Sequence, residues 1–179
     1  MRLTGEAAAR MKSAGRRAAD PPFPKTVTLL GRRLPLWAER SMPHAARRLA
    51  LAAILRAVRK LAGEGAAGRL SGSDRRCLGA LRAFAIGRGR SGQDQGVFIF
   101  GLADVRATAD PAYWSSALVH DGMHALLQRR GRPYRDEVAP CEAQIDYLLR
   151  TGGSHALVDH LRRFRDSQGL QRRRLREPV

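Results

Sequence analysis

Apolar and polar positions along this chain follow two rhythms, and the stretches that follow neither separate the elements. The strongest β-type run is Val97-Phe98-Ile99-Phe100-Gly101-Leu102, dense in β-branched and aromatic residues and preceded by the polar loop GRGRSGQDQG. Val27 to Leu30 predicts a short strand ending before Gly31. Leu78 to Ile86 alternates well enough to predict another, with Leu81, Ala83 and Ala85 set against Arg82, Phe84 and Ile86. Helical spacing begins after Ser41, a cap followed by Pro43 in the first turn. It continues through Leu49, Ala52, Ala53, Leu55, Val58 and Leu61, ending near Gly63-Glu64-Gly65. Ala66 to Asp74 then reads as a Gly/Ser-rich connection.

The second half is more regular. Asp110 is a good cap, Pro111 suits the first helical position, and Tyr113, Ala117, His120, His124 and Leu127 share one stripe. Gly131-Arg132-Pro133 signals a turn. A further helix follows, with Asp136 as cap, Pro140 in the first turn, and Val138, Glu142, Ile145, Asp146 and Leu149 as its inward stripe. Ser154 caps a last helix running to about Phe164.

Residues 1–24 have few large apolar groups before a stiff Pro21-Pro22-Phe23-Pro24 break, and read as a basic, flexible arm. A single domain is expected over 25–168, followed by a basic tail over 169–179. The pattern as a whole predicts a mostly helical α+β domain with a short antiparallel sheet.

Composition changes this picture little. Hydrophobic residues make up 44% and aromatics 6%, so the core should be rich in Leu, Ala and Val. Net charge is +17, and of the 33 basic residues all but Lys12, Lys25 and Lys60 are arginine. A nucleic-acid or anionic-surface binder is one reading of that charge. The arginines are dispersed, however, and no base-reading motif accompanies them, so a solvated basic surface is favoured. Cys77 and Cys141 form no disulfide framework, and Cys141 reads as packing. No run approaches the ~20 apolar residues of a spanning helix. With no apolar leader visible, the expected location is the cytoplasm.

The candidate chemistry lies in the helix pair. His120 and His124 are one turn apart, so both imidazoles share a face. A short connection makes the two helices antiparallel neighbours. A turn centred between Arg132 and Pro133 then matches His124 with Glu142 and His120 with Asp146. Two imidazoles and the Glu142 carboxylate would leave a zinc ion one open position, the catalytic arrangement. Asp146 would accept a histidine's other N–H. Glu137 is the competing third ligand, closer to the turn and a poorer match to His124.

The run His120-Asp121-Gly122-Met123-His124, with Glu142 and Asp146 beyond, resembles the zinc-metallopeptidase pattern His-Glu-x-x-His followed by Glu-x-x-x-Asp in the gluzincin branch of the zincins. The likeness spans Val97 to Leu149. It implies a minimal zincin-like domain in which His120, His124 and Glu142 bind zinc, Asp146 supports them, and Asp121 is the general base for peptide or amide hydrolysis. It also implies that the strand before the metal helix is an edge pairing with an extended peptide substrate. The family's glutamate is Asp121 here, a carboxylate one methylene shorter. A catalytically inactive zincin-like domain that binds metal or a partner is the first alternative, and a basic nucleic-acid binder the second. His155, His160, Tyr134 and Tyr147 are the candidate donors to a developing oxyanion.

Overall fold

The phenylalanines of the strongest predicted strand form the centre of the structure. A computed structural model describes residues 25–132 and 136–174, with side chains to 168. The elements are β1 (Thr26–Leu29), β2 (Arg32–Ala38), α1 (His44–Ala66), α2 (Gly72–Ala80), β3 (Ala83–Gly87), β4 (Gly92–Asp94), β5 (Val97–Gly101), α3 (Leu102–Ala107), α4 (Pro111–Arg129), α5 (Val138–Arg150) and α6 (His155–Arg174). The class is α+β with helix predominating, as the pattern predicts. No helix among the described residues is long and apolar enough to cross a membrane.

Five strands form one sheet in the order β1-β2-β3-β5-β4. It is mixed rather than antiparallel throughout: β1–β2 and β4–β5 are antiparallel, but β2–β3 and β3–β5 are parallel. The reason is connectivity, since α1 and α2 lie between β2 and β3, and a crossover of that length returns a strand in the same direction. β5 is therefore an inner strand. The expected edge beside the metal helix is instead β4, which hairpins onto β5 through Gln95 and Gly96 at φ 47 and 84°.

Register aligns Phe84 with Phe98 and Ile86 with Phe100, sending alternate side chains to one face. Phe98 and Phe100 meet edge-on at 4.6 Å between centroids, and Phe100 meets Trp114 of α4 at 5.1 Å. A single cluster of buried side chains runs from Val27 to Leu161.

Several local readings shift. β2 was hidden by Pro35, a residue that weighs against a strand. The N-cap of α1 is Pro43 rather than Ser41, whose hydroxyl bonds Glu39 instead. The buried face of α1 is Ala46, Ala50, Ala53, Ile54, Ala57, Val58 and Leu61, whereas Leu49 is exposed. The Gly/Ser connection contains α2, opened by a reciprocal cap: Ser71 Oγ accepts from Asp74 N, and Asp74 accepts from Ser71 N. That cap also truncates the strand expected from Leu78, leaving β3 to start at Ala83.

Some of the arginines are architectural. Arg32 and Arg129 donate to the carbonyls at the end of α2, Arg32 to Gly79 and Leu81 and Arg129 to Ala80. Arg129, at the end of α4, is exposed. Its guanidinium is used to tie α4 to α2.

Cys77 and Cys141 are both free and fully buried. Burial, followed by the nearby Asp74, pushes the Cys77 thiol up to about 11, so it stays protonated at neutral pH. Neither thiol should react with iodoacetamide in the native protein at neutral pH, and both should in guanidinium. Mass spectrometry after a timed pulse checks this, and fast native labelling of Cys77 would contradict the packing described.

Candidate metal centre

The orientation of α4 is fixed before its histidines enter the argument. Asp110 Oδ1 accepts from Ala112 N at 2.8 Å, and Pro111 occupies the first position, as the sequence predicts. Trp114 lies against Phe100 and donates its indole N–H to Thr108 O at 3.1 Å. Trp114, Leu118, Val119 and Ala125 are buried, and Gly122 presses on α2. With those positions fixed, His120 and His124 are turned toward the start of α5.

There they meet Glu137, the residue just before α5. His120 Nε2 and His124 Nε2 are 3.2 Å apart, and each lies 3.3 Å from Glu137 Oε2. Ligand atoms about 2.0–2.1 Å from a tetrahedral zinc lie roughly 3.3–3.4 Å from one another. The three atoms thus stand at the spacing of three corners of a tetrahedral site. The donor set of two imidazoles and one carboxylate suits zinc.

Glu142 does not join them. It is exposed, as is Asp146. The buried residues of α5 are Pro140, Cys141, Ala143, Gln144, Ile145, Tyr147 and Leu148, so the inward face is rotated away from the stripe expected from the ligands. Glu137 precedes Cys141 by one turn and lies on that inward side. The carboxylate beside the two histidines is therefore that of Glu137, the competitor named from sequence, and not that of Glu142. The supporting role expected of Asp146 is not realised. His120 Nδ1 has no hydrogen-bond partner among the described residues, and the Cys141 thiol lies beside the ring.

The charges are strongly coupled. Burial by itself would raise the Glu137 carboxyl, but hydrogen bonds from His120 and His124 outweigh it and hold the group at about 2. Burial would likewise lower His120, yet Cys141, Glu137 and Asp121 together lift it to about 10. Glu137 is thus held as a carboxylate against two imidazoles. Asp121 is raised by its own burial, offset in part by the two histidines.

The triad opens into a cavity of about 410 Å³, which Asp121 also lines. Arg90, Ser91 and Gly92 form one rim, and Asp104, Tyr113 and Gln144 form further parts of the wall. Leu157, His160 and Leu161 bring α6 to the cavity as well. Of the oxyanion candidates, His160 lines the cavity, whereas His155 is exposed and outside it. Tyr147 is fully buried, and it too is outside the cavity. Tyr134 lies outside the described residues. Sequence reasoning missed Arg90, Asp104 and Gln144, because none carries a spacing signal linking it to the histidines. Comparison with protein-family models, curated proteins and solved structures finds no match to this chain.

Proposed function

We propose that this chain is a zinc-dependent hydrolase of peptide or amide bonds on a zincin-like plan, with the ion held by His120, His124 and Glu137. The observation that supports this reading is the near-equilateral triangle of ligand atoms opening into a cavity that Asp121 shares. Zinc bound there would polarise a substrate carbonyl and make a water acidic enough to ionise near neutral pH. Asp121 accepts the proton that the attacking water gives up. Its burial raises its pKa and so makes it a stronger base than a solvated aspartate. The two free thiols accord with a reducing, cytoplasmic setting.

The test is elemental analysis of the purified full-length protein, together with a peptide library read by mass spectrometry. One zinc per chain is expected. Asp121→Asn should keep the zinc and lower cleavage by about 10²–10⁴-fold. A wild type that holds no zinc, or an Asp121→Asn protein that cleaves normally, would reject the assignment. Asp121 is one methylene shorter than the family's glutamate, which favours a second reading: a metal-binding domain without turnover. Stoichiometric zinc with no cleavage, and activity appearing only in Asp121→Glu, would select that reading.

A further inference from the structure

Among the described residues lining the cavity, Arg90 is the only arginine or lysine. The loop that carries it is fixed from several directions. Gly101 packs so closely beneath it that an added Cβ would fall 2.3 Å from Gly89 O and from the Arg90 carbonyl carbon. Gly101 N donates to Ser91 Oγ at 2.9 Å, and Ser91 N donates to Asp104 Oδ2 at 2.6 Å. Arg90 Nη1 donates to Asp104 Oδ1 at 3.1 Å, yet the Arg90 side chain remains 87% exposed. The backbone is therefore held in place while most of the guanidinium donors stay available at the cavity mouth. The exposed His160 lines the same cavity from α6, and Arg162 and Arg163 follow it, also exposed. A net charge of +17 draws anions toward this surface.

We infer that Arg90 is a specificity-determining residue, selecting small amide or peptide substrates that carry a carboxylate a few bonds from the scissile carbonyl. The guanidinium fork matches a carboxylate in two parallel hydrogen bonds, and a cavity of about 410 Å³ suits a compact substrate. The inference rests on the zinc-hydrolase reading of the same cavity.

The experiment uses zinc-loaded full-length protein and two probes with the same metal-binding group: acetohydroxamate, which has no second charge, and succinic acid monohydroxamate, which adds a carboxylate. Calorimetry on the wild type should give about tenfold or greater preference for the carboxylated probe, shrinking as salt is added. Arg90→Gln should reduce that ratio to about one and leave acetohydroxamate affinity unchanged. Arg90→Lys should keep part of the preference, and Asp104→Asn, which frees the guanidinium, should keep all of it. Equal affinities in wild type, or a preference that survives Arg90→Gln in a protein of normal melting temperature, would overturn the inference while leaving the metal assignment intact. Absent zinc, or bound zinc with affinity for neither probe, would remove the hydrolase reading and this inference together.

Discussion

Glu137→Ala is expected to lower zinc affinity by more than about 100-fold, because losing a ligand should exceed the 10–100-fold cost of losing a supporting residue. Glu142→Ala is expected to leave affinity unchanged. The sequence alone favoured the opposite outcome. Glu142 is matched to His124 if the turn is symmetric, but the structure leaves its side chain exposed while Glu137 Oε2 stands 3.3 Å from both Nε2 atoms. The burial is asymmetric too: the Glu137 side chain is 25% exposed and that of His124 only 2%. Removing the carboxylate leaves two imidazoles in a partly buried site with no anion to balance an added ion. Competition with a chromophoric chelator across wild type, both variants and His124→Ala would settle the ligand set. Equal losses for the two glutamate variants, or a larger loss for Glu142→Ala, would show that the triangle described here is not the one that binds.

The second large effect is one of packing. Gly122→Ala should destabilise the protein by about 2 kcal/mol or more, equivalent to a melting shift of roughly 4–8 °C in a domain of this size. An alanine in mid-helix would ordinarily contribute about 1 kcal/mol of stability over glycine. Here its Cβ would stand 2.4 Å from Cys77 O and 2.6 Å from Cys77 C. Those are backbone atoms of α2, so no rotamer change relieves the contact, and α4 must move away from α2. Gly122 lies between His120 and His124, so the same displacement should weaken zinc binding. Gly63 provides the control: it is helical and exposed, and none of the described residues lies within 4 Å of an added Cβ. Gly63→Ala should stabilise by up to about 1 kcal/mol. Thermal denaturation of both variants measures the difference, and two shifts of the same sign would contradict the close approach of α2 and α4.

Local rules, acting over a few residues, were readable in the chain. Asp110 and Pro111 begin α4, the dense apolar run becomes β5, and the four-residue spacing of His120 and His124 puts both rings on one face. The reciprocal Ser71–Asp74 cap was equally local, and was obscured only by the glycine and serines around it. Gly122 is a residue that ordinarily costs stability inside a helix. Which backbone it meets depends on α2, far away in the sequence.

The rest was decided by the fold as a whole. The rotation of α5 follows from burying Cys141, Ile145, Tyr147 and Leu148, and that rotation carries Glu142 and Asp146 outward while leaving Glu137 beside the histidines. A stripe drawn through two acids to suit a ligand role had the wrong phase, because apolar burial determines which face of a helix turns inward and a single carboxylate does not. Strand direction depended in the same way on the α1–α2 crossover, and the cavity wall on where α6 returns. The sequence by itself determined α1, α4, α5 and α6, the strongest strand and the histidine pair, whose causes are short-range. Tertiary packing alone brought Glu137 to the two histidines and enclosed the cavity around them, because both require residues distant in the chain to converge.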